Sequence, residues 1–290
     1  MSFRTRFAPS PTGPLHLGHA YSALLAHDMA RANNGAFLLR IEDIDQSRSR
    51  PSWETQIYDD LTWLGLTWDV GIMRQSDRLT DYRSALDALW HRGLLYPCTC
   101  SRRDIAEALS APQETVNAVG PDGPVYPGTC RNYAPIDPNI PLPEGVALRL
   151  FMSRAIEALV DDSELSFHEN LYGGRHITRI DPSALESAVG DVVLARKDMG
   201  TSYHLAVVLD DAAQGITDVV RGQDLFDATQ IHVFLQKLIG LPTPRYHHHH
   251  LIRDANGKRL AKRDDARAIS KFREDGASPN DIRRMVGLSR

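Results

Sequence analysis

The residues Pro9-Ser-Pro-Thr-Gly-Pro-Leu-His-Leu-Gly-His19 carry the first chemistry legible in this 290-residue chain. A Gly/Pro-rich turn here delivers His16 and His19 to the start of an apolar-periodic segment. Unpaired N–H groups and the positive dipole end of a helix favour phosphates at such a place. Gly18 has no Cβ, so a base or ribose can approach the backbone closely, and both imidazoles can donate to a triphosphate from one side. A second basic run, Asn256-Gly-Lys-Arg-Leu-Ala-Lys-Arg-Asp264, offers Arg259 and Lys262 as further cations.

Cys98-Thr-Cys100 and the more distant Cys130 form the other constellation. Zinc takes four ligands in a tetrahedron, and three thiolates supply most of them. His91 is an ordinary candidate for the fourth. Three cysteines cannot all pair internally, which argues against a secreted disulfide scaffold.

Arg6-Phe-Ala-Pro-Ser-Pro-Thr-Gly-Pro-Leu-His-Leu-Gly-His19 resembles the first signature of the class I glutamyl- and glutaminyl-tRNA synthetases. The family's second signature, a Lys-Met-Ser-Lys-Ser-like loop, is matched by Arg259-Leu-Ala-Lys-Arg263. Arg259 stands there in place of lysine, Ala261 in place of serine and Arg263 in place of the final serine, while Lys262 is retained. Leu38-Leu-Arg-Ile-Glu-Asp-Ile-Asp45 resembles a third family string.

The resemblance implies ATP-dependent activation of L-glutamate, the α-carboxylate attacking the α-phosphorus and releasing pyrophosphate. His16, His19 and Lys262 are then the catalytic residues, and His16, Gly18, His19, Arg259 and Lys262 hold ATP with Mg2+. Arg6, Ala8, Ser10, Glu42, Tyr203 and Arg221 line the glutamate site, with Arg221 offering the side-chain carboxylate a two-pronged partner. The same resemblance names Tyr126 as fourth ligand of a single structural zinc beside Cys98, Cys100 and Cys130.

Only 27 residues follow Arg263, leaving no room for an anticodon-binding domain. The expectation is a member of the shortened branch of the family, which activates glutamate without tRNA and transfers it to the queuosine base in the anticodon of tRNA(Asp). The partner is then the anticodon stem-loop of tRNA(Asp). A shortened synthetase charging a tRNA 3′ end, and a small-molecule adenylyl or nucleotidyl transferase, are the alternatives.

The elements that must position these residues alternate. Strand candidates are Phe3–Ala8, Ala36–Ile41, Ala147–Phe151, Val192–Ala195, Asp218–Val220 and a segment before Arg253. Helix candidates are Leu17–Asn33, Ser52–Gly65, Arg78–His91, Ser101–Leu109, Tyr203–Ala213 and Leu225–Leu238, followed by a short helix opened by Ser278-Pro279. In the first helix Ala20, Leu24, Leu25 and Ala32 form the apolar face. The alternation predicts an α/β fold with a Rossmann-type nucleotide-binding sheet. It divides into 1–97 as the first half, 98–190 as a Pro-rich inserted zinc and acceptor-type subdomain, 191–255 as the second half, and 256–290 as the basic loop with a helical stub.

Hydrophobic residues make up 42% of the chain, enough for one large core or two modest ones. No apolar run is long enough to span a bilayer, and the N-terminus lacks the apolar stretch of a signal peptide. A cytoplasmic monomer without membrane contact is expected. Net charge is −4, but residues 253–290 carry 11 Lys/Arg against 6 Asp/Glu, so contact with RNA phosphates must be local. The tract His247–His250 reads as partly buried beside the ATP loop rather than as a metal site, with alternate rings on opposite faces of a strand.

Overall fold

The computed structural model describes residues 2–110, 119–131, 139–159, 164–172, 174–252 and 267–288. The first half runs β1 (Arg4–Phe7), α1 (Leu17–Ala32), β2 (Ala36–Ile41), α2 (Pro51–Trp63), β3 (Met73–Arg74) and α3 (Leu79–His91). The middle contains β4 (Leu95–Cys98), α4 (Arg102–Ser110), β5 (Val119–Gly120), β6 (Gly123–Pro124), β7 (Ala147–Leu150) and α5 (Met152–Glu157). It continues through β8 (Ser166–Glu169), β9 (His176–Arg179) and α6 (Pro182–Ala188) to β10 (Val193–Ala195). The chain then builds α7 (Tyr203–Ala213), β11 (Asp218–Gly222), α8 (Thr229–Ile239), β12 (Arg245–His249), α9 (Ile269–Glu274) and α10 (Pro279–Met285).

Strands β1, β2 and β3 are parallel, with Arg6 opposite Leu38 and Arg40 opposite Met73. On the other side β11, β12 and β8 are parallel to one another, and β9 pairs antiparallel on the outer edge. Arg4 joins the two groups: its N–H donates to Thr217 Oγ1 at 2.8 Å and its carbonyl accepts from the Thr217 N–H at 3.1 Å. The chain therefore builds outward from β1 in one direction, then returns to build in the other. Ligands of open α/β sheets sit beyond the strand carboxyl ends at such a reversal.

Side-chain alternation explains why both faces are covered. Phe37, Leu39 and Ile41 enter one core with Leu24 of α1, Ile57 and Leu61 of α2, and Ile269 and Ile282 of α9 and α10. Leu38 enters the other core with Trp90, Leu205, Val208 and Phe234. Val220 and Val219 of β11 divide the same way, as parallel strands buried on both sides require. Gly35 is forced by close approach, because a Cβ there would lie 2.2 Å from the Phe3 carbonyl oxygen.

Several expectations shift in detail. The buried residues of α1 are Ala20, Tyr21, Ala23, Leu24, Ala26 and Ala30, and the four alanines let the helix sit close to β1; Ala32 is exposed. Pro51, at the first position of α2, starts that helix one residue before the expected Ser52. Thr229 begins α8 after a short 3-10 turn at Gln223–Leu225. The last parallel strand is Arg245–His249, so the histidine tract itself enters the sheet, and Leu251 and Ile252 follow it as loop. Six short elements of the middle segment, β5, β6, α5, β8, β9 and α6, were foretold by no periodicity in the sequence. Of these, β8 and β9 extend the sheet of the second half, while β4, β7 and β10 form a separate three-stranded antiparallel sheet. No described helix is long and apolar enough to cross a membrane.

Candidate active site

A cleft of about 530 Å³ opens at the carboxyl ends of β1 and β11, within the size range of small-ligand sites. Its lining includes Arg6, Ala8 and Ser10 from the end of β1, Glu42 after β2, Tyr203 at the start of α7 and Arg221 in β11. His16, Gly18 and His19 line the same cleft. Arg259 and Lys262 fall in the segment 253–266, outside the described residues.

The two histidines are fixed by the helix they open. His16 is the N-cap of α1: its Nδ1 accepts from the Gly18 N–H at 3.1 Å, and His19 Nδ1 accepts from the His16 N–H at 3.2 Å. This reciprocal pairing is a capping box built from imidazoles instead of Ser and Glu. Both Nδ1 atoms accept, so in the neutral rings the protons sit on Nε2. The rings stack with centroids 3.8 Å apart. A Cβ on Gly18 would lie 3.0 Å from His16 Cε1 and 3.2 Å from its Nδ1, so this glycine makes room for the His16 ring.

Behind the cleft, Arg6 and Glu42 join a buried charge network with Arg40, Asp210 and Asp211, three residues that the sequence did not single out. Arg6 engages both carboxylate oxygens of Asp211, at 3.0 and 3.3 Å. Arg40, fully buried in β2, donates to Asp211 at 2.6 Å, to Gln214 at 3.0 Å and to Glu42 at 3.1 Å. Asp210 accepts from Gln75, Arg78 and Tyr82 at 2.8 to 3.0 Å. Burial opposes the charge on Asp211, but Arg6 and Arg40 outweigh it and hold this carboxyl below its ordinary range. For Glu42 burial wins over the attraction of Arg40 and Arg6, and its pKa is raised. An arginine inside the apolar string Leu38-Leu-Arg-Ile was the available signal, since a buried guanidinium demands carboxylate partners.

Arg221 is engaged almost all round. Its Nε donates to His248 Nε2 at 3.1 Å and its Nη1 to His232 Nδ1 at 3.0 Å. Its Nη2 donates to Thr229 Oγ1 at 2.6 Å and to the Leu225 carbonyl at 3.3 Å. Four of the five guanidinium N–H groups thus have protein partners, leaving one Nη1 N–H in place of the expected two-pronged donor. His248 in turn donates from Nδ1 to Glu169 at 2.6 Å. Burial, opposed and outweighed by His248 and three backbone N–H groups, leaves Glu169 lowered to about 2.

The histidine tract divides its rings as a strand should: His247 pairs with Asp218 at 2.8 Å, His248 faces Arg221, and His249 meets Ser22 Oγ of α1 at 2.6 Å. His249 lines the cleft.

Away from the cleft, the ligand atoms of Cys98, Cys100 and Cys130 lie within 4.8 Å of one another. The Tyr126 hydroxyl stands 3.4 Å from both Cys98 Sγ and Cys100 Sγ and accepts from the Cys130 N–H at 2.9 Å. Three thiols and a phenol converging on one point are a donor set suited to a soft tetrahedral ion. His91, exposed at the end of α3, is not part of that group. Ser101 and Asp104 form a capping box at the start of α4.

Residues 2–289 match the family model for the catalytic domain of class I tRNA synthetases for glutamate and glutamine. The chain belongs to this family and is a ligase of the aminoacyl-tRNA synthetase type. Within it the similarity is to glutamyl-Q tRNA(Asp) synthetases. The enzyme of that name from Rhodobacter capsulatus is 64% identical over 98% of this chain and 99% of its own length. That from Symbiobacterium thermophilum is 40% identical over 96% of this chain and 83% of its own. Among solved structures, a glutamate tRNA ligase from Elizabethkingia meningosepticum in complex with its amino acid superposes with a TM-score of 0.74 at 26% identity. The match covers 99% of this chain and 61% of that ligase. A Mycobacterium tuberculosis methionyl-tRNA synthetase shares the fold, with a TM-score of 0.56 at 11% identity, over 98% of this chain and 64% of its own.

Proposed function

We propose that this enzyme activates L-glutamate with ATP in the absence of tRNA and then transfers it to the queuosine base in the anticodon of tRNA(Asp). The observation that carries the reading is the single cleft lined by the residues of both the nucleotide turn and the glutamate set. Glutamate enters with its α-amino group toward Glu42 and its side-chain carboxylate toward Arg221, while Arg6, Ala8, Ser10 and Tyr203 complete the wall. ATP lies across His16, Gly18 and His19, whose Nε2 protons face phosphate oxygens. By the family resemblance Arg259 and Lys262 are assigned to the same phosphates, together with Mg2+.

In the first step a glutamate α-carboxylate oxygen bonds to the α-phosphorus, and the bond from that phosphorus to the bridging oxygen of pyrophosphate breaks. Positioning and charge stabilisation dominate such a step. In the second, a hydroxyl of the queuosine cyclopentenediol attacks the acyl carbon, its proton is lost and AMP leaves. Cys98, Cys100, Cys130 and Tyr126 would hold one zinc ion, which when bound cross-links β4 to the segment around residue 130.

Two measurements test this. Glutamate-dependent ATP–pyrophosphate exchange without RNA should be strong, and its absence in well-folded protein would sink the activation step. Labelled glutamate should then pass to queuosine-containing tRNA(Asp) and not to the same tRNA lacking queuosine. Label on the 3′ end of tRNA(Glu) would instead support charging of an acceptor end.

A further inference from the structure

We infer that His232 sets the orientation of Arg221 toward the substrate side chain, and that Asp122 of the middle segment acts on that arginine through His204 and His232. The inference rests on the assignment of Arg221 to the glutamate side chain made above.

Each link in this relay has a fixed direction. Arg221 can only donate, so His232 Nδ1 accepts and the proton of the neutral ring sits on Nε2. That proton is donated to His204 Nδ1 at 3.1 Å. His204 then carries its own proton on Nε2 and donates it to Asp122 Oδ2 at 2.7 Å. His232 is held neutral because burial, and then the charge of Arg221, push its pKa well below the ordinary value. Were it protonated, two N–H donors would face each other and the link would break. His232 also carries the Tyr203 ring edge-on, with centroids 5.5 Å apart. One side chain therefore orients two residues that line the cleft.

The outer end of the relay lies in a different part of the fold. Asp122 is exposed at the turn between β5 and β6, four residues before Tyr126 of the cysteine group. His204 and His232, by contrast, are buried on α7 and α8. A hairpin of the middle segment thereby reaches the arginine that reads the amino acid. The three histidine and aspartate partners act through Arg221 and are positioning residues.

The test is pyrophosphate exchange on the full chain, reading the KM for glutamate, the KM for ATP and kcat separately. His232→Leu removes the acceptor and should raise the glutamate KM about tenfold, as expected for losing a hydrogen bond to a charged group, leaving the ATP KM unchanged. His232→Asn places Oδ1 where Nδ1 stood and should restore the glutamate KM to within about threefold. Asp122→Ala, on an exposed turn that does not threaten folding, should raise it about threefold in the native background and have no effect in the His232→Asn background, where the link to His204 is missing. Arg221→Lys serves as the control. A raised glutamate KM in Arg221→Lys with none in His232→Leu or Asp122→Ala overturns the relay while sparing the site. No change in Arg221→Lys overturns the assignment of Arg221 itself, and the relay with it.

Discussion

At the scale of single residues, charge placement in the cleft dictates what each substitution should do. Glu42 is held by one bond from Arg40 and faces the cleft with a raised pKa caused by burial. A carboxylate that binds an ammonium must be ionised, so activity depending on it is lost as pH falls through that raised value. The acid limb of kcat/KM for glutamate should therefore lie above the ordinary glutamate pKa, and Glu42→Gln should abolish the limb. The same variant should raise the glutamate KM about 10- to 100-fold. A pH profile of exchange for both proteins checks both outcomes. Lys262→Ala should depress exchange about 100- to 1000-fold, the usual cost of removing one transition-state donor. Equilibrium dialysis of labelled glutamate should show binding little changed; parallel loss of binding would point to a folding defect.

The elements set how the residues are presented. The N-terminus of α1 is capped by its own nucleotide-turn histidines, so geometry there couples helix and site. Gly18→Ala inserts a methyl against the His16 ring and should break the imidazole stack. The expected result is an ATP KM raised about tenfold, equivalent to one or two lost hydrogen bonds, with glutamate affinity measured by calorimetry unchanged. On the opposite face, α10 is clamped to α1 by Arg283, which donates to both oxygens of Asp28 at 2.6 and 3.0 Å.

Asp60 of α2 is buried beside these C-terminal helices, and its Oδ2 has no hydrogen-bond partner among the described residues. Burial, only partly offset by the charge of Arg273, pushes its pKa up to about 6. An acid whose folded pKa is raised binds its proton more readily folded than unfolded, so its contribution to stability falls as pH rises from about 4 to about 6. Asp60→Asn should stabilise the protein by about 2 kcal/mol at pH 7.5 and by nothing at pH 4. Urea unfolding at the two pH values measures the difference.

At the scale of the whole molecule, the middle segment matters most. The group of Cys98, Cys100, Cys130 and Tyr126 ties the end of β4 and the turn after it to a stretch 26 to 30 residues beyond Cys100. Closing so long a loop restricts the unfolded chain more than the folded one. Purified protein should contain about one zinc per chain. Cys98→Ser should lower that content and the thermal midpoint together, as followed by metal analysis and calorimetry. An unchanged midpoint in metal-free protein would leave the cysteines as ordinary reduced thiols.

The sequence by itself determined the family and the order of the main elements. The turn Pro9–His19 was legible as a ligand-holding segment from its residue types, whereas Glu42, Tyr203 and Arg221 were named by the family resemblance, and the fold brings all of them to one cleft. The main helices and strands were legible because apolar periodicity is a local property. The tertiary structure decided what lies behind those residues. Arg40, Asp210 and Asp211 are brought together by strands and helices far apart in the chain. The environment of Arg221 is assembled from α8, β12 and, through His204, a distant hairpin. Strands β8 and β9 stayed hidden because short strands acquire their pairing from distant partners, for β8 Tyr246 of β12. Hydrogen-bond direction and burial are properties of three-dimensional neighbours. For that reason the four hydrogen bonds that hold Arg221, and the tautomers they impose on the histidines around it, follow only from the fold.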